Sequence, residues 1–315
     1  MAGTNRVAVY YNNRDVRIEE RTVPTIGPRE LLVKVHASGI CGSDVLEWYR
    51  VPKAPVVLGH EIGAEIVRVG GEVRRWKVGD RVFVSHHVPC GECAHCKAGH
   101  ETVCETLRKT NFDPGGFAEY VRVPEVNVKQ GVFQVPDSLT YEEATFIEPL
   151  ACVVRGQRAA KVWSTDIAQH RLEAAKRSGA DAAWDAREDI AAKITAASGG
   201  RRADIVFTCT GAPAAIDQAF KCVTAGGTIL FFAPTNPEDA AAIPFNDLWR
   251  NEVTMTSTYG AAPRDIRESI ELLGKGTVKV RDLVTHRLPL TDAGAGFRLV
   301  AEGKDSLKVI LEPTR

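Results

Sequence analysis

Apolar and polar positions alternate from Val7 onward in short runs, "RVAVYY", "ELLVKVHASGI", "IGAEIVRVG", "DRVFVS" and "FAEYVRV", each broken by turn-forming residues. Strand-like runs at such close spacing predict a compact, barrel-like β domain reaching to about Val128. The period changes at "PDSLTYEEATFIEPLACVVRGQRAA", where Thr140 and Glu143 have capping-box spacing and predict a helix from near Tyr141. Beyond it the runs "KVWSTD", "AAWDA", "ADIVFTCTG", "GGTILFFAP" and "NEVTMTSTYG" read as strands. Between them "AQHRLEAAKRSGA", "EDIAAKITAAS" and "APAAIDQAFKCV" read as helices. Such alternation predicts an open parallel sheet wrapped by helices. The last stretch closes on the β run "KVILEP", which predicts a return to the first domain. The expected class is α/β, with a β domain over 1–150 rejoined by 285–315 and a sheet-and-helix domain over 151–284.

Composition narrows the chemistry. Lys and Arg number 40 and Asp and Glu 40, so the chain has no net field to attract nucleic acid or an anionic membrane, and a small-molecule substrate is the expected partner. No apolar run reaches the roughly 20 residues of a membrane span, and no apolar signal core precedes the first charges. A soluble, cytoplasmic protein is expected. Of eight cysteines, Cys90, Cys93, Cys96 and Cys104 are clustered in "PCGECAHCKAGHETVC", a C-x2-C-x2-C-x7-C spacing that suits metal rather than disulfides. Four thiolates close a tetrahedral zinc shell with no vacancy for substrate, so a structural zinc is expected there. The spacing does not match the bacterial iron-sulfur run. His95 and His100 in this lobe read as exposed loop residues.

A second set is dispersed: Cys41 in "GICGSD", His60 and Glu61 in "LGHEIG", and Glu148 in "FIEPLA". A thiolate, an imidazole and a carboxylate would leave a zinc position open, as in catalytic sites. These segments, with "GGFAEYVRVP", "EPLACVVRG" and the terminal "KVILEP", follow one another as in the zinc-dependent medium-chain dehydrogenases of the alcohol, sorbitol and threonine dehydrogenase group, which the chain resembles over nearly its whole length.

The resemblance implies a GroES-like catalytic domain and a Rossmann-type domain. It implies a catalytic zinc held by Cys41, His60 and Glu148, with Glu61 as a near or exchanging ligand and Ser43 starting a proton relay. A carboxylate at 148 is similar to the sorbitol and threonine branches and implies a polyol, sugar alcohol or amino alcohol substrate. The family as a whole implies two zinc ions per chain, one catalytic and one structural, and a homodimer or homotetramer. Ala64 departs from the family's usual glycine, with only a small local effect expected. His36, His86, His87, His170 and His286 read as structural, and Cys152, Cys209 and Cys222 as buried thiols.

A dinucleotide fold normally carries G-x-G-x-x-G at a strand-to-helix turn and an acid about 20 residues later. Asp166, closing "KVWSTD", matches the acid and implies NAD over NADP. Counting back from it lands inside the helix that carries Glu148, and Gly156 is the only glycine between Gly131 and Gly179. One strand-loop-helix unit, on the order of 30 residues, is missing. With it go the central strand and the main pyrophosphate site. The strands at 161–166 and 203–209 are expected to pair directly. The rest of the cofactor surface matches by resemblance at Asp166, Arg171, Thr210, Gly211, Ala233 and Pro234. The deletion leaves open a zinc-bearing protein without redox function, or an incomplete gene product.

Overall fold

The computed structural model describes residues 3–154 and 161–314. Contacts divide the chain into two units, residues 1–155 with 260–315, and residues 156–259. The return to the first unit comes at Gly260, earlier than the expected 285. The reason is the helix Pro263–Gly274, which packs against the helix Ile147–Val154. Its Ile266 and Leu273 share a core with Phe83, Val135 and Ile147, and its Ser269 hydroxyl donates to the Ile147 carbonyl.

In the first unit a seven-stranded sheet runs in the order Val284–Pro289, Lys308–Glu312, Leu31–Gly39, Glu61–Val69, Arg81–Val84 and Val132–Gln134, with Tyr120–Val123 also on Leu31–Gly39. A second sheet orders Asp15–Thr22, Thr4–Asn12 and Val56–Val57. Val33, Val35, Ile62 and Ile66 of the large sheet share one core with Val7, Val9 and Phe117. Phe297 joins it, edge-on to Phe117 at 5.6 Å between ring centres. Each such side chain, fully removed from water, contributes about 1.5–3 kcal/mol. Ala64 lies in this core, fully buried.

Capping starts the helix Tyr141–Ala144: Thr140 Oγ1 accepts from Glu143 N at 3.2 Å, and the Glu143 carboxylate accepts from Thr140 N at 2.8 Å. Among the described residues no helix is long and apolar enough to cross a membrane.

Among its described residues the second unit contains five parallel strands in two pieces. Trp163–Asp166 pairs with Ala182–Asp185, and Ala203–Thr208 pairs with Val223–Phe231, which pairs with Thr254–Ser257. The expected direct pairing of 161–166 with 203–209 is absent. Each strand is instead held by its own neighbour and helix: Gln169–Arg177 packs on the first pair, and Pro213–Cys222 on Ala203–Thr208 and Val223–Phe231. The pieces meet through side chains, with Trp163, Trp184, Ala203 and Val206 around Ile190 and Ile194. In the doubly wound order 3-2-1-4-5-6, the two pieces correspond to 3-2 and 4-5-6, and among the described residues no strand stands where strand 1 would be. The chain passes from Val154 to Trp163 through residues 155–162 alone. Gly156 and the "QRAA" segment of the expected junction lie outside the described residues.

Candidate active site and metal centres

The lobe cysteines converge. Their four sulfurs lie within 4.8 Å of one another, with Cys93–Cys96 at 3.5 Å, Cys90–Cys104 at 3.7 Å and Cys90–Cys96 at 3.9 Å. A tetrahedron of sulfurs around zinc at about 2.3 Å has edges of about 3.8 Å, so the lobe fits zinc. Gly91, at φ +78°, provides the left-handed turn after Cys90. Backbone N–H groups of Glu92 and Cys93 donate to Cys90 Sγ at 3.4 and 3.3 Å, which favours thiolate. Burial pushes the Cys96 thiol up to about 12. At Cys104 burial is outweighed by N–H donors from Cys90 and Leu107, which bring the thiol down to about 6.

The dispersed set assembles at one end of the large sheet. Cys41 caps the 3-10 turn Gly42–Val45: its sulfur accepts from Ser43 N at 3.4 Å, and its own N–H donates to Asp44 at 3.1 Å. His60 and Glu61 enter the strand Glu61–Val69 after Gly59, whose φ of +91° and lack of Cβ let the chain pass Phe117. Ligand atoms of Cys41, His60 and Glu61 lie within 4.8 Å of one another. Glu148 falls outside this trio, on the helix Ile147–Val154. Burial raises its carboxyl above the ordinary value; the Glu61 charge reinforces this and His60 opposes it.

Glu61 is 1 % exposed. One of its carboxylate oxygens accepts from the Lys308 ammonium and the other, Oε1, is buried without a hydrogen-bond partner. An orphaned carboxylate oxygen beside a thiol and an imidazole is what a bound cation would satisfy, so this set fits a metal as well. Gly39 makes room for the pair, because a Cβ there would lie 2.1 Å from Glu61 Oε2 and 2.7 Å from Lys308 Cε.

Several contributors were not read from the sequence. Asp44, fully buried, sits 3.4 Å from His60 Nδ1. A carboxylate behind a ligating imidazole fixes its tautomer and direction. Burial works against the Asp44 charge, but His60 and Arg50 hold its carboxyl below the ordinary value. The Arg50 guanidinium donates to Ser43 O at 2.9 Å, Ser43 Oγ at 3.2 Å and Asp44 at 3.3 Å, fixing the whole turn. His86 lies 4.7 Å from the His60 ring, its Nδ1 buried and unpartnered. Cys152 Sγ donates to Glu148 Oε1 at 3.4 Å, one helical turn along. "CGSD" displays Asp44 and "SHH" displays His86, but only the fold gives them partners. Cys209 is exposed, not a buried thiol as expected, because it follows the last residue of a strand; Cys222 is buried.

The expected cofactor residues follow the carboxyl ends of the parallel strands, where open sheets of this kind bind ligands. Asp166 accepts from Ala168 N at 2.9 Å and lies 3.7 Å from Arg171. Thr210 Oγ1 accepts from Ala212 N at 3.3 Å. Gly211 packs so tightly on the next loop that a Cβ would lie 2.2 Å from the Pro234 carbonyl. Ala233 N donates to Thr208 O at 3.2 Å.

Comparison with known proteins gives two family matches: an alcohol dehydrogenase GroES-like domain over residues 27–137 and a zinc-binding dehydrogenase over 152–275. The chain is 32 % identical to a sorbitol dehydrogenase of Bacillus subtilis, with 98 % of each chain covered. It is 31 % identical to an L-threonine 3-dehydrogenase of Bacillus licheniformis, covering 92 % of this chain and 93 % of that one. The crystal structure of 2R,3R-butanediol dehydrogenase from Bacillus subtilis superposes with a TM-score of 0.83 at 25 % identity, covering 98 % of this chain and all of that one. The sorbitol dehydrogenase alignment spans 352 positions, 37 more than the 315 residues of this chain, so residues of that relative face gaps here.

Proposed function

The chain belongs to the zinc-dependent medium-chain dehydrogenase/reductase family, and from that membership we propose that it moves hydride between NAD and a secondary alcohol of polyol, sugar-alcohol or amino-alcohol type. The observation that carries the reading is the convergence of Cys41, His60 and Glu61, 4.8 Å or less apart, with one Glu61 oxygen buried and unsatisfied. Cys41, His60 and Glu148 would hold the catalytic zinc with Glu61 alongside, and the four lobe cysteines the structural one. Zinc bound at the first site supplies Lewis acidity that acidifies an alcohol hydroxyl.

The protein's own groups do the rest. Asp44 keeps His60 Nδ1 engaged, so Nε2 is the nitrogen left to ligate. Ser43 Oγ accepts from Arg50, so its own hydrogen is free to turn toward an acceptor. The proton of the alcohol would pass to Ser43 Oγ as this hydroxyl hands its own proton on to solvent, while Arg50, already protonated at working pH, orients it. Asp166 would hydrogen-bond the adenosine ribose and disfavour a 2'-phosphate. Polyol and amino-alcohol relatives support the substrate class.

The enzyme is read as a cytoplasmic homodimer or homotetramer. The outer strand Thr254–Ser257, exposed throughout, and the neighbouring exposed Phe245 and Trp249 support association. A second reading, a metal-bearing protein without hydride transfer, is favoured by the split sheet. Calorimetric titration of zinc-loaded protein with NADH separates the two. Micromolar binding followed by polyol-dependent NADH formation is expected; no binding at millimolar NADH sinks the dehydrogenase reading.

A further inference from the structure

The first unit contains a cavity of about 530 Å³ between the four-cysteine lobe and the helix Pro263–Gly274. Its volume is that of a small-molecule site. Its wall is markedly cationic for a chain of zero net charge: Arg75, Lys129, Arg264 and Arg267 face it, against the single carboxylate of Glu101. Two of these cations have local partners. Lys129 pairs with Glu125 at 2.6 Å, and Arg264 lies 3.6 Å from Asp265 and 3.9 Å from Glu101. Arg75 and Arg267 reach no carboxylate among the described residues; Arg75 has only the Trp76 ring, at 4.9 Å. The Gln130 and Gln134 side chains add amide groups, over a floor that includes Phe133 and Ile270.

We propose that this cavity binds a small polyanion bearing phosphate or carboxylate groups, gripped by Arg75 and Arg267. Guanidinium groups present paired N–H donors that match such oxygens. Two of them on opposite parts of the chain, one before the lobe and one on the helix Pro263–Gly274, select a ligand with more than one anionic group. Because Gly91 and Cys96 of the lobe form part of the wall, a bound anion ties the lobe to the body and slows loss of its metal. The inference is independent of the hydride-transfer reading, since none of these residues belongs to the Cys41 cluster.

The test is calorimetry of the zinc-loaded full chain with pyrophosphate and, separately, citrate, at constant ionic strength so that general screening cancels. One saturable site per chain is expected, weakened at least about tenfold in R75S/R267S and less in R267K, which keeps charge but loses the paired donors. Preference for pyrophosphate assigns phosphate chemistry, and preference for citrate assigns carboxylate chemistry. In parallel, zinc release to a chromogenic chelator should slow when the favoured anion is present. Absence of saturation below about 10 mM, weaker than any affinity a built site would show, overturns the proposal. So does binding that survives R75S/R267S, which places the anion elsewhere: on the zinc of the Cys41 cluster if it disappears in C41S, or in the separate cleft lined by Arg201, Arg202 and Lys221 in the second unit if it disappears in R202S/K221S.

Discussion

Gly39 and Lys308 decide the state of the buried carboxylate. Gly39→Ala would thrust a methyl into the Glu61–Lys308 pair. The atoms it meets are ends of flexible side chains, so the fold should survive with a loss of about 1 kcal/mol, while the dispersed site loses its zinc. Elemental analysis would then find one zinc fewer per chain; unchanged zinc content would refute this role for Gly39. Lys308→Met leaves Glu61 buried without its cation, which costs about 3–5 kcal/mol when nothing replaces it. A metal ion can replace it. Urea unfolding should therefore show a much larger loss in chelator than with zinc, and equal losses would contradict the shared carboxylate. At this scale the sequence displayed the candidate ligands and hid their supports. The lobe cysteines are legible because all four lie in one short run. Lys308 is 247 residues from Glu61, and no local pattern announces such a pair.

Single elements were the most legible part of the fold. The capping box at Thr140 and Glu143 forms as its spacing implied, and Glu143 also accepts from Arg281 at 2.7 Å. Against burial, Arg281 and Thr140 hold the Glu143 carboxyl below its model-compound value of 4.5. A lowered folded-state value means that its contribution is complete above about pH 4.5 and is lost as pH falls through the folded value. Glu143→Gln should cost about 1 kcal/mol at pH 7. The gap from the parent should close on acidification, because the parent's own carboxyl is then protonated. Urea midpoints at pH 7 and pH 3.5 would check it; a gap that is constant or widens in acid would exclude the mechanism. What the local pattern could not give was pairing. The runs at 161–166 and 203–209 contain the strands Trp163–Asp166 and Ala203–Thr208, but no local pattern shows which edges meet.

For the whole molecule the central fact is a parallel sheet in two pieces. Inserting a strand, glycine loop and helix ahead of Trp163 should join them and supply the missing helix N-terminus for the pyrophosphate. NADH affinity should rise at least about tenfold and the melting temperature with it; if neither moves, the split is not what limits cofactor binding. The Glu61–Lys308 pair has a further consequence, in the order of synthesis. Glu61 leaves the ribosome 247 residues before its partner, a delay of roughly 10 to 50 s at the usual pace of elongation. Cys41, His60 and Glu61 are all made by then, so a growing chain can take up metal with the carboxylate still unclaimed. The lysine then arrives at the other oxygen of a carboxylate that can already hold metal, and timing during translation decides which cation reaches Glu61 first.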